Sequence, residues 1–337
     1  MKTNILLHTK SVSLSQTKLS LSHIKSVSLS QSKLSLSHLM RQSLLLLFIS
    51  TTLFLTLSCG SKPKREMEIT VIHSNAKEML ESANASILSG EYDKAEYFLD
   101  QAAKLSMTVD DYDLLTSVAL AYVSLDLSYN PPQTQKAEEN LSKAKVYASY
   151  SIDPDKNTAL CALSEARIII ATQNEKADYS SLIRTLEKHQ KVLKNDPYNE
   201  AQLESTMGDI YRVQKNYSEA EASYTKAAKL YTDNRYLSEI GITWYKIAQV
   251  RSLNNKKQPA LEALEKAIFY DRAAENTLAL GTDYYVKGII LLKGTPSAAE
   301  KTAAKYAFTH SAEIFTAAGT GMEAMAQKSL DAAAEIE

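Results

Sequence analysis

Apolar positions recur along this chain at three- and four-residue intervals, the spacing that gathers them on one face of an α-helix. The stripes come in pairs, separated by short polar breaks. One pair runs through 76–106, breaking at Gly90-Glu91-Tyr92 and resuming with Ala95, Leu99 and Ala102. A second fills 112–154, with Ala119 and Tyr122 on its first helix and Ala137, Leu141 and Ala144 on its second. Tyr129-Asn130-Pro131-Pro132 lengthens that connection, and Asp153-Pro154 closes the unit. The third pair, 158–197, is less regular: Leu163 and the run Ile168-Ile169-Ile170 suit a buried helix, and Asp196-Pro197 ends it. The fourth, 201–234, is the clearest. A fifth, 234–272, carries Gly241, Trp244, Ala260, Leu264 and Ala267, with about seven extra residues expected around Asn254-Asn255-Lys256-Lys257. The sixth, 277–318, has Gly288, a Gly294-Thr295-Pro296 turn and Ser297-x-x-Glu300, the signature of a capping box. Gly319-Thr320-Gly321 then breaks the chain before a last helix at 322–336. The pattern predicts an all-α solenoid of about six antiparallel helix pairs, closed by a C-terminal helix whose polar face caps the last exposed apolar one.

The fourth pair shows how such helices approach. Gly208, Tyr211, Tyr217, Ala220, Tyr224 and Ala227 stand at positions 8, 11, 17, 20, 24 and 27 counted from Ala201. Small residues at 8 and 20 let two helices come close, and large residues fill the space between them. This resembles the tetratricopeptide repeat (TPR), a 34-residue helix-turn-helix unit. Two positions depart from it: Glu204 stands at 4, where Trp is usual, and Thr232 at 32, where Pro is usual. The resemblance spans roughly 76–318 and is most specific at 76–106 and 201–272. Most of the nineteen tyrosines fall at repeat packing positions or helix ends, including Tyr92, Tyr122, Tyr211, Tyr217 and Tyr224, and so read as core.

A different apolar segment precedes the helices. The basic head Met40-Arg41-Gln42 leads into fourteen mostly apolar residues, Leu44 to Leu57, ending at Ser58-Cys59-Gly60. A basic start, a short apolar run and a small-residue exit describe a secretory signal, too short to span a bilayer comfortably. A cysteine between small residues resembles the lipobox of bacterial lipoproteins. Thr56 stands where that box usually has leucine, and Leu55 sits one residue earlier, a relaxed form similar to spirochaete lipoproteins. The resemblance implies cleavage before Cys59 and a lipid, palmitate or a similar acyl chain, on its sulfur. No cofactor is expected beyond this covalent lipid. Gly60–Arg65 would then tether the folded part to a bacterial inner or outer membrane, facing the periplasm or cell exterior.

Upstream, residues 11–25 and 26–40 match at twelve of fifteen positions, a Ser/Leu tandem duplication too short and too poor in turn residues to be a structural repeat. The simplest account starts translation at Met40. The expected division is therefore 1–39 outside the fold, 40–58 signal peptide, 59–73 lipidated cysteine and tether, and 74–337 helical domain.

Composition sharpens the picture. Few turn formers (nine Gly, seven Pro) and an abundance of helix formers fit the all-α class. The whole chain carries 38 basic and 39 acidic residues; six of the basic ones precede Cys59, so cleavage leaves 32 against 39, a net charge of −7. Such a chain has no electrostatic footprint for phosphate backbones, which argues against nucleic acid. With Cys59 acylated, Cys161 has no disulfide partner, and its apolar neighbours predict a buried, inert thiol. His73, His189 and His310 have no metal-ligand spacing, and no P-loop, zincin or nucleophile-elbow motif occurs. The protein reads as a non-enzyme.

The TPR resemblance also implies a site, since such repeats bind partners along the concave face of their first helices. Carried onto this chain, that face gives Gln202, Ser205, Asp209 and Arg212, then Arg235, Ser238 and Tyr245, then Tyr285. A mixed polar and aromatic set suits an extended peptide or a partner helix. The leading expectation is a membrane-anchored interaction scaffold for envelope proteins, with self-association open. The alternative comes from a second resemblance, to the TPR-like accessory lipoprotein (T-component) of TRAP-type transporters, which partners a solute-binding protein.

Overall fold

A computed structural model describes residues 71–172, 177–319 and 321–336, all within the unit Ile69–Glu337. The expected signal peptide, Cys59 and the tether up to residue 70 lie outside the described residues; 71–73, expected as the end of the tether, begin the first helix. Thirteen α-helices and no strands occupy the described part: α1 (Val71–Ser89), α2 (Tyr92–Thr108), α3 (Tyr112–Ser128), α4 (Thr134–Ala148), α5 (Pro154–Ala171), α6 (Tyr179–Leu193), α7 (Pro197–Val213), α8 (Tyr217–Asp233), α9 (Leu237–Leu253), α10 (Lys257–Ala273), α11 (Thr277–Leu291), α12 (Ala298–Ala318) and α13 (Glu323–Ala334). Each helix packs antiparallel on the next, giving six pairs and a terminal helix laid on α12. The first helices of successive pairs also touch one another, α1 on α3, α3 on α5, α5 on α7 and α9 on α11, and so line the inner side of the solenoid.

The repeat is longer than the 34-residue template. From α7 onward each helix starts twenty residues after the last, at 197, 217, 237, 257 and 277. The extra residues expected as a loop near Asn254 lie instead inside the helices, which run to seventeen residues each between three-residue turns. The turns explain the constancy. Lys215, Arg235, Asn255 and Glu275 all take positive φ, between 56° and 63°. Beyond each of them an amide reaches back to close a Schellman motif: Asn216 to Tyr211, Tyr236 to Tyr231, Lys256 to Arg251 and Asn276 to Asp271. Gly90, at φ 79°, does the same work between α1 and α2, its successor Glu91 bonding back to Ser86.

Starts are capped as firmly. Asp111, Asp153, Asp178 and Asp196 each accept the backbone N–H three residues on, and Pro follows directly after Asp153 and Asp196. The two Asp-Pro pairs therefore open helices as well as close units. Ser297 and Glu300 form the complete capping box at the start of α12.

A forty-residue register runs through the core. Ala201, Gly241 and Gly281 are buried in sequence, as are Gly208, Ala248 and Gly288, Ile210, Val250 and Ile290, and Ala227, Ala267 and Ala307. The small members let helices touch: a Cβ on Gly208 would lie 2.5 Å from a ring carbon of the fully buried Tyr224, and one on Gly288 2.6 Å from Phe308. The same register carries two surprises, Asp283 where Leu203 and Thr243 stand, and Asp271 where Tyr231 and Ser311 stand. Cys161 is buried as expected, and burial pushes its thiol up to about 11. The solenoid winds far enough for α11 to reach α1.

Candidate binding groove

The inner helices enclose a trough of about 860 Å³. It draws on five successive first helices, α1, α3, α5, α7 and α9. Stacked helices lie 8–10 Å apart, so the trough is elongated, on the order of 30–40 Å. Its apolar floor includes Leu80, Leu120, Leu160 and Ile242, and hydroxyls and amides such as Ser117, Ser124, Asn157 and Gln202 stand among them.

The charges on its walls are almost all matched. At the α1 end His73 meets Asp111 at 2.7 Å, and Lys77 pairs with Glu81 on its own helix at 3.9 Å. Asp113 accepts the Ile152 amide and the Asn157 side chain, and Asp153 caps α5. Lys156 bridges to Asp196 at 2.7 Å, tying α5 to the start of α7. At the far end Lys246 of α9 reaches back to Asp209 at 2.6 Å and Ser205 at 2.9 Å, while Tyr224 donates to the other oxygen of Asp209. Burial and the Asp209 charge hold the Tyr224 phenol protonated, far above its ordinary range. Tyr198 donates to Glu239 at 3.2 Å, and burial pushes its phenol up to about 12. Arg167 of α5 stands apart: it donates one bond, to Ser124 at 3.2 Å, and has no carboxylate partner among the described residues.

Three of the residues expected on the inner face line this trough: Gln202, Ser205 and Asp209. The structure places the other five elsewhere. Arg212, on the last turn of α7, stands behind Asp209 with Nε 4.0 Å from its Oδ1. Arg235 is the exposed turn residue at φ 63°, before α9 begins. Ser238 is half-buried in the first turn of α9, off the trough. Tyr245 packs on the core beside Trp244 and accepts a bond from Gln249 at 3.1 Å. Tyr285 lies tilted against Phe308, ring centroids 5.3 Å apart, with the Lys328 ammonium over its ring. A 34-residue count carried past residue 234 drifts from the forty-residue repeat and puts Arg235 in a turn. Ser238 keeps the register of Tyr198, and Tyr245 and Tyr285 that of Ser205, yet α9 lines the trough with Glu239, Ile242, Thr243 and Lys246. The α1, α3 and α5 walls also escape that count. One sequence signal did point to Arg167: a lone cation running directly into Ile168-Ile169-Ile170.

No group of three or more potential metal ligands stands together among the described residues, and no described helix is long and apolar enough to cross a membrane. The trough's inventory of hydroxyls, amides and matched charges is that of a binding surface.

No protein-family profile and no curated protein matches the chain. Among solved structures it is similar to a signal-transduction ATPase (STAND) protein with a tetratricopeptide-repeat sensor from Pyrococcus horikoshii, at 16% identity and a TM-score of 0.45. That alignment covers 77% of this chain and 41% of the other, so the chain spans well under half of that protein's length. It is also similar to the apo form of RapI, at 15% identity and a TM-score of 0.47, covering 77% of this chain and 97% of RapI. The fold is an all-α, TPR-like solenoid of antiparallel helix pairs.

Proposed function

We propose that this protein is a non-enzymatic scaffold of the bacterial envelope, held to a membrane by lipid on Cys59, that seats a segment of a partner protein in the inner trough. The observation that carries the reading is the trough itself: elongated, walled by five first helices, and lined by groups that bond a peptide backbone. Anchorage rests on the lipobox-like Ser58-Cys59-Gly60. Each buried acyl methylene contributes about 0.8 kcal/mol, so more than one chain gives stable attachment.

Two variants separate the parts. Ser117→Trp with Gln202→Trp fills the trough from α3 and α7; it should abolish co-purification of the partner while leaving the protein in the membrane fraction. Cys59→Ser should do the reverse, releasing the protein with its partner. Retention of every companion by the filled trough, or of membrane attachment by Cys59→Ser, contradicts the corresponding half.

A further inference from the structure

Arg167 sits midway along the trough, on the central of its five wall helices. A guanidinium offers five N–H donors in a fixed fork that matches a carboxylate. Here one donor is used, on the neutral hydroxyl of Ser124. The other charges lining the trough are matched by an opposite charge, a helix cap or, at Asp113, amide donors, except Glu239, which is held only by the Tyr198 phenol. Arg167 is the one cation of this wall without a carboxylate within ion-pair distance among the described residues, and its free donors are open to an anion.

Its surroundings favour the same occupant. Ser164, one turn before Arg167 on the same face, is buried and its hydroxyl has no hydrogen-bond partner among the described residues. Tyr231, buried, also lines the trough, and its hydroxyl has no hydrogen-bond partner among the described residues. Tyr198 and Tyr231 line the same trough, and both feel the Glu239 carboxylate as well as the Arg167 guanidinium.

We infer that Arg167, flanked by Ser164 and Tyr231, is the recognition point for an aspartate or glutamate side chain of an extended partner segment lying in the trough. The elongated shape selects the source: at about 3.3 Å per extended residue, a trough of this length holds a segment of roughly ten residues, whereas a free small acid would leave most of it empty. The inference rests on the proposed partner-binding role of the trough and adds its chemistry.

The test is selection from a phage-displayed library of random twelve-residue peptides, run with the protein from residue 59 onward as bait. Wild type should enrich peptides sharing an Asp or Glu at one position. Arg167→Gln should lose that preference and bind the selected peptides about 10- to 100-fold more weakly, the range for a charge-assisted hydrogen bond. Arg167→Glu should enrich Lys or Arg at the same position, a reversal that a merely structural role would not produce. Because Arg167 is half-exposed with one neutral contact, both variants should keep the wild-type circular dichroism and melting curve, and Arg167→Lys should recover part of the affinity. Peptides without an acidic position, or an acidic preference unchanged in Arg167→Gln, overturn the inference and leave the trough reading intact. No selected peptide at all overturns both. Binding of succinate that depends on Arg167, without peptide selection, would replace the partner by a free acid and so also overturn the inference as stated.

Discussion

At the scale of single residues, two carboxyls stand where the forty-residue register elsewhere places Leu, Thr, Tyr or Ser. Asp271 and Asp283 are wholly buried and face each other, a proton on Asp283 bonding to Asp271, with no other side chain or backbone group bonded to the Asp271 oxygens or to Oδ2 of Asp283. Burial lifts the Asp271 carboxyl well above the ordinary carboxylate range; burial, then the Asp271 charge, lifts Asp283 further, with Glu265 adding to it. In the unfolded chain both titrate near pH 4 (about 3.9). The folded state therefore binds protons more tightly, and the pair's contribution to stability is complete below about pH 4 and declines as pH rises through the raised values. The melting temperature should fall from about pH 5 to about pH 8 on this account. Asp283→Leu, the residue carried at 203, should flatten that slope and stabilise the fold by about 1–3 kcal/mol at the alkaline end; urea unfolding at both pH values checks it, and an unchanged slope counts against the pair. Gly208 makes the opposite point. Gly208→Ala gains helix propensity of about 1 kcal/mol but drives a methyl into the fixed ring of Tyr224, so a net loss of about 1–2 kcal/mol is expected in the same assay. A gain in stability would show that the two helices can part.

At the scale of elements, helix identity, pairing and the capping box were legible because each rests on local chemistry: a 3.6-residue stripe, Asp or Ser at a cap, Gly or Asn at a break. The number of pairs and the terminal helix followed from the same signals. The length of the repeat was not legible, because its turns use Lys215, Arg235 and Glu275 in a backbone region that usually advertises itself by glycine. Without that punctuation the extra residues look like loop rather than helix, and the 34-residue count drifts past residue 234. Gln202, Ser205 and Asp209 stand on the wall; Arg212 of the same unit, on the last turn of α7, does not, and neither do Arg235, Ser238, Tyr245 and Tyr285 beyond it. The turns also make a prediction. Lys215→Gly relieves a left-handed conformation that side chains disfavour, and should raise stability by about 0.5–1 kcal/mol. Lys215→Val, β-branched at the same φ, should lower it by at least as much. Equal stability of the two would mean that the turn is not strained.

At the scale of the molecule, a solenoid is stable as a sum of neighbouring interfaces, so its ends need closing. The last helix does this for α12: buried Ser311 and Ser329 bond to each other at 3.0 Å, and Ala333 packs in the cluster of Leu291, Ala304 and Phe308. Removing residues from Met322 onward should expose that face, lower the melting temperature and promote association, which light scattering would register. A truncated chain that stays monomeric with an unchanged melting curve would deny α13 a capping role. The inner wall is the other consequence of stacking, since five helices spaced by their packing present one long trough, with Arg167 unpaired by any carboxylate among the described residues. Whether that trough is where a partner lies is the central claim. It is tested most directly by in-cell photo-crosslinking from p-benzoylphenylalanine placed at Gln202, on the trough wall, and at Phe269, 64% exposed on the second helix of its pair. A discrete protein adduct from Gln202 and none from Phe269 is the result predicted here. An adduct from Phe269 alone would put the partner on the outer surface and contradict the account.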